Sequence, residues 1–130
     1  MNPQLASLIG KRVHFIGIGG AGMSGLARIA LSHGITVSGS DAKDSSVVTA
    51  LSALGAKVST SHLAENVDGS DLVVYSNAIS ESNAERVRAK ELNLPVLNIT
   101  PSFNKIVIYF KTPDNKDKSL KFLKKNSLIL

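Results

Sequence analysis

The chain has 130 residues and no cysteine, with 43% hydrophobic and 19% charged residues; it is long enough for a core of its own, and disulfides and thiolate metal sites are excluded. Its net charge of +5 is uneven: residues 1–98 carry eight Lys/Arg against eight Asp/Glu, and residues 99–130 carry seven Lys against two Asp. The N-terminus MNPQLASLIGKR lacks the pattern of a secretory signal, and the apolar stretch 13–35 is broken by His14, Arg28, His33 and glycines. A membrane span is therefore not expected, and the expected location is the cytoplasm.

In chain order, VHFIGI (13–18) reads as a short buried strand. A helix over 21–33 follows, with Met23, Leu26, Ala27, Ala30 and Leu31 on one face and Gly34 as its left-handed stop. TVSGS (36–40) reads as a second strand ending at Asp41. The next helix is expected from Ser46 to Leu54, capped by Asp44 or Ser45, with Val47, Leu51 and Leu54 as its stripe and Gly55 as its end. AKVST (56–60) is a weaker third strand, and LVVYS (72–76) is a fourth, apolar enough to be covered on both faces. Ser82-Asn83-Ala84-Glu85 has the form of an S-x-x-E capping box, opening a helix that ends near Leu92-Asn93. Pro95 then starts a fifth strand, PVLN.

Strands alternating with helices in this way predict an α/β fold: a Rossmann-like, doubly wound, mainly parallel five-stranded sheet with helices on both faces. All ten glycines precede residue 99, and residues 99–130 contain neither Gly nor Ala. This break divides the chain into a domain over 1–98 and a divergent basic tail over 99–130, expected to be poorly ordered. Within the tail, KIVIYFK (105–111) suits a strand, TPDNKDK (112–118) a loop, and SLKFLKKNSLIL (119–130) a short amphipathic helix with Leu120, Leu123 and Leu128 on one side. The tail's lysines could meet phosphates, but it has no Arg and no recognisable binding motif, which argues against a nucleic-acid role.

HFIGIGGAGMSG (14–25) packs five glycines into twelve residues. Gly17, Gly19 and Gly22 fit G-x-G-x-x-G, after a predicted strand and at the mouth of a predicted helix, where the pattern carries meaning. One glycine allows the tight turn, one lets backbone approach a diphosphate, and one lets the helix pack on the strand. N–H groups in the helix's first turn lack intrahelical partners and, with the helix dipole, attract an anion; Ser24 adds a hydroxyl. If the first and fourth strands are neighbours, this loop faces Ser76-Asn77-Ala78-Ile79 across one crevice. Asp41, 19 residues after Gly22, leaves the second strand at the same end, where a ribose-binding acid belongs. These features indicate a diphosphate-containing nucleotide, with NAD(P) of an oxidoreductase as one candidate. The three histidines show no metal-ligand spacing; His14 and His33 are read as structural.

HFIGIGGAGMSGLA, VSGSD and VVYSNAISESNAE, in this order, resemble the N-terminal domain of the UDP-N-acetylmuramate–L-alanine ligases, a branch of the Mur ligase family, over about residues 10–98. The resemblance implies that the domain binds the UDP part of UDP-N-acetylmuramate in peptidoglycan biosynthesis. Gly17, Gly19, Gly20, Ala21, Gly22, Met23 and Ser24 would hold the diphosphate. Ser40, Asp41, His62 and the turn Ser76, Asn77, Ala78 and Ile79 would line the nucleotide end. The family reaction also needs ATP and Mg²⁺ on a phosphate loop ending Gly-Lys-Thr in a second domain. No G-x-x-x-x-G-K-[ST] occurs in these 130 residues, and Ala84 stands where the family commonly has proline. The expectation is a chain that binds but does not itself catalyse, with the look of a truncated or frameshifted product and no metal or catalytic residue of its own.

Overall fold

The computed structural model describes residues 7–102, 105–111 and 117–124, and the side-chain surroundings of residues 7–99. Strand β1 (Arg12–Ile16) sends Val13 and Phe15 to one side and His14 and Ile16 to the other, and all four are buried. A strand covered on both faces needs apolar residues at every position, so the histidine in its middle demands a partner. Helix α1 (Ala21–Ser32) buries Met23, Leu26, Ala27 and Ala30, as its period predicts. Gly34, at φ 78°, ends it, and the chain returns as β2 (Thr36–Ser40).

Helix α2 (Ser46–Ala53) is capped by Ser45, whose hydroxyl accepts from the N–H of Val48 at 3.3 Å. Its inward face is Val48 and Leu51 with Val47 partly covered; Leu54, expected in the stripe, is 56% exposed because it falls past the last turn. Strand β3 (Lys57–Ser59), a 3₁₀ turn (Ala64–Val67), β4 (Leu72–Ser76), helix α3 (Ala84–Glu91) and β5 (Val96–Ser102) follow.

The sheet order is β3-β2-β1-β4-β5-β6-β7. The first five strands are parallel, as expected. The order turns back between β1 and β4, so both strands' carboxyl ends open on one crevice. Helices α1 and α2 cover one face, with Phe15, Val37, Leu51, Val74 and Ile99 in its core. Helix α3 and the 3₁₀ turn cover the other, over Ile16, Val67, Val73, Tyr75 and Ala89.

Beyond β5, strands β6 (Lys105–Lys111) and β7 (Asp117–Lys124) extend the sheet as antiparallel additions. Strand β6 agrees with the sequence expectation. The tail helix does not form over its first half: residues 119–124 belong to β7, paired with β6 across a bulge. A short apolar run such as LKFL fits either period, and backbone pairing with β6 decides. Strand β5 likewise runs to Ser102 rather than ending at Asn98, because β6 pairs with its whole length. Residues 1–6, most of the expected 112–118 loop and residues 125–130 lie outside the described residues. Among the described residues, no helix is long and apolar enough to cross a membrane.

Candidate functional site

The corner between β1 and α1 is a tight turn. Gly17 takes φ 75°, a conformation that side chains disfavour, and its N–H and that of Ile18 both donate to the carbonyl of Ser40 at 2.8 and 3.0 Å. The N–H of Gly20 then closes the turn on Gly17 O at 3.0 Å. The N–H of Gly19 donates to Asp41 Oδ2 at 2.8 Å, and Asp41 Oδ1 accepts from the N–H of Lys43 at 2.9 Å. Asp41 therefore ties the glycine corner to the start of the β2–α2 loop.

Helix α1 begins without a side-chain cap and without an acidic residue in its first turn. Its first backbone bond is Ser24 N–H to Gly20 O, 2.8 Å. Among the described residues, nothing accepts from the N–H groups of Ala21, Gly22 and Met23. A Cβ at Gly22 would meet no atom within 4 Å, so open space lies beside Gly22 in this first turn. This departs from the expected division of labour, in which one glycine of the motif brings helix against strand. The close approach lies instead at Gly39 in β2, against β1 and the turn that follows it: a Cβ there would lie 2.8 Å from Ile18 Cβ and 2.9 Å from Phe15 O. The hydroxyl of Ser24 donates back to Ala21 O at 3.2 Å.

The turn Ser76–Ile79 closes with Ile79 N–H on Ser76 O at 3.0 Å, and Ala78 N–H reaches Ser76 Oγ at 3.3 Å. Ile79 Cδ1 lies 3.1 Å from where a Cβ on Gly17 would stand, so this turn adjoins the glycine corner. Arg86 of α3 holds it from behind: its guanidinium donates to Ile79 O at 2.9 Å and to the Tyr75 hydroxyl at 3.3 Å, 4.2 Å above the Tyr75 ring. Asn77 and Ala78 are exposed at the turn's tip.

Sequence reasoning missed the polar cluster beneath this crevice. Glu85 is fully buried. Its Oε1 lies 2.6 Å from His14 Nε2; its Oε2 accepts from the Ser40 hydroxyl at 2.5 Å and lies 2.7 Å from His62 Nδ1. His14 Nδ1 meets Ser38 Oγ at 2.8 Å, and that oxygen also accepts from Arg12 Nε at 3.3 Å. The expected capping box is thereby corrected. The cap is Asn83, whose Oδ1 accepts from the N–H of Glu85 at 2.9 Å and of Arg86 at 3.2 Å, and Glu85 turns inward instead of back to the helix end. Burial alone would push the Glu85 carboxyl up. Hydrogen bonds with His14, Ser40 and His62, and the charge His14 carries when protonated, outweigh it and hold the carboxyl below its usual range. The signal for this cluster was His14 itself, a polar residue in a strand otherwise apolar on both faces. Although two histidines and a glutamate meet here, no group of three or more His, Cys, Asp or Glu among the described residues is placed to hold a metal ion. His33, by contrast, closes on its own helix, with Nδ1 2.9 Å from Ile29 O.

The strand order and the glycine corner define the class: a Rossmann-like α/β fold whose strand order reverses between β1 and β4, the place where open α/β sheets as a class hold their ligands. The chain belongs to the Mur ligase family, whose catalytic-domain model matches residues 12–110. It is 58% identical over 87 residues to the UDP-N-acetylmuramate–L-alanine ligase of Renibacterium salmoninarum, and 49% identical over 87 residues to that of Persephonella marina. Each match covers 67% of this chain and 19% of the relative, so the chain spans about a fifth of their length. Among solved structures, it is similar to the UDP-N-acetylmuramate–alanine ligase of Thermotoga maritima, with TM-score 0.65, 36% identity, and coverage of 68% of this chain and 20% of that one. It is similar as well to the UDP-N-acetylmuramate:L-alanyl-γ-D-glutamyl-meso-diaminopimelate ligase of Neisseria meningitides, with TM-score 0.63, 37% identity, and coverage of 68% of this chain and 28% of that one.

Proposed function

We propose that this chain binds the UDP part of UDP-N-acetylmuramate as the nucleotide-holding portion of a peptidoglycan ligase that adds L-alanine. One observation carries the reading: in a Mur ligase family chain, three N–H groups at the mouth of α1 have no partner among the described residues, and open space lies beside Gly22 in that turn. A helix start of this kind favours a diphosphate through its free donors and its positive dipole end. Asp41 and the Ser76–Ile79 turn flank it, His62 stands at the nucleotide end, and the pyrophosphate contacts fall to backbone rather than to charged side chains. Membership of this family disfavours the redox dinucleotide role that the glycine pattern alone leaves open.

The ligase chemistry is proposed to need ATP and Mg²⁺ held by residues outside these 130, since no phosphate-gripping lysine loop occurs in them. The working compartment is proposed to be the cytoplasm. Calorimetry tests the binding: saturable heat with UDP-N-acetylmuramate and none with NADH is expected, and saturation by NADH alone would overturn the reading. With ATP, Mg²⁺ and L-alanine added, the 130-residue chain is expected to yield no ligated product; detection of product by mass spectrometry would contradict the division of labour.

A further inference from the structure

We propose that Glu85 is a positioning residue for the nucleotide site: it takes the Nδ1–H of His62 and so leaves Nε2 as the ring's ligand-facing nitrogen, an acceptor for a hydrogen-bond donor of the nucleoside. This rests on the nucleotide reading above and adds to it a buried residue that touches no ligand.

The hydrogen-bond inventory carries the assignment. An ionised carboxylate only accepts, and Glu85 sits inside the protein with both oxygens engaged. Ser40 has one hydroxyl hydrogen, and it is directed to Glu85 Oε2 at 2.5 Å. Toward His62 Nδ1, 2.9 Å away, Ser40 Oγ can therefore only accept. Both groups facing Nδ1 are acceptors, so Nδ1 carries the hydrogen. In the neutral ring that leaves a lone pair on Nε2, on the far side of the imidazole, which has no partner among the described residues. His62 is 26% exposed and Glu85 is not exposed at all, so the ring stands between the buried carboxylate and solvent.

The remaining contacts fix Glu85 in turn. His14, from the centre of β1, holds Oε1 at 2.6 Å, while Asn83 pins the backbone of residue 85 at the helix start. A loop histidine thereby inherits the rigidity of β1, β2 and α3. Such support is what a site needs to hold a contact to within a few tenths of an ångström. Ser40 belongs to the same assembly, and its carbonyl anchors Gly17 and Ile18 in the glycine corner. The cluster thus joins both ends of the crevice.

Nitrogen-15 NMR of the histidine rings in the full chain, with UDP as the probe, tests the proposal together with a double-mutant cycle. His62 is expected as the Nδ1–H tautomer, with its Nε2 resonance moving on UDP addition. His62→Ala and Glu85→Ala are each expected to weaken UDP binding about five- to tenfold, the worth of one hydrogen bond. Glu85→Ala should add nothing in the His62→Ala background. An equal further loss in that background would show that Glu85 acts through general stability and would overturn the proposal. So would an Nε2–H ring at His62 in the unaltered chain, a result that stands even if Glu85→Ala fails to fold. Failure of the unaltered chain to bind UDP overturns the nucleotide reading itself. It is distinguishable from UDP binding without Glu85–His62 coupling.

Discussion

Glu85 shows how a single residue's environment can reverse its local meaning. Next to Ser82 it has the spacing of a capping residue, yet its partners come from His14 and His62, 71 and 23 positions away. Removing the carboxylate strands two imidazoles and a hydroxyl, so Glu85→Ala is expected to cost about 3 kcal/mol in urea unfolding. Its pH dependence has a definite sign. The folded carboxyl titrates below its unfolded value, so its contribution is complete above about pH 4.3 and is lost as the pH falls through the folded value. Glu85→Gln is expected to flatten that acid limb; an unchanged slope between pH 5 and the acid transition would refute it. Gly39 is the second position where atoms decide. A methyl there meets backbone oxygen and a branched carbon that cannot swing away, so Gly39→Ala is expected to destabilise the chain by about 1–3 kcal/mol. Neither residue's role was legible in the sequence, because both depend on contacts that only the folded sheet creates. The glycine corner was legible, because turn geometry and orphan amides are local.

At the scale of elements, the alternation of apolar runs and capped helices was enough to place five strands and three helices. Three boundaries have a nearby chemical cause: Ser45 before α2, Gly34 after α1, Gly55 after α2. At α3 the S-x-x-E spacing pointed to Ser82 as the cap, and the residue beside it takes the role. The structure selects Asn83, whose side chain accepts from two N–H groups. Asn83→Ala is therefore expected to lower stability by about 1 kcal/mol and Ser82→Ala by well under half of that, read as shifts in the thermal midpoint. The reverse order would restore the capping box. Strand β7 escaped prediction for a different reason. Its alternation is weak and its strand state comes from pairing with β6, an interaction absent from the segment's own residues.

At the scale of the whole molecule, the buried apolar residues among 7–99 form two cores, one on each face of the parallel strands β1 to β5. Truncation after Ser102 is accordingly expected to keep cooperative unfolding and leave UDP affinity unchanged within about twofold; loss of a cooperative transition would make β6 and β7 part of the folding unit. The polar surfaces of the crevice come from four separated segments, brought together by the reversal of strand order at β1 and β4. The function assigned to that crevice depends most on the three amides of Ala21, Gly22 and Met23. Backbone amide NMR during titration with UDP-N-acetylmuramate reads them directly. Large, saturating shifts at those three residues, much smaller with uridine lacking phosphate, are the predicted result. Saturation with these amides unmoved, while shifts gather elsewhere on the surface, would contradict it.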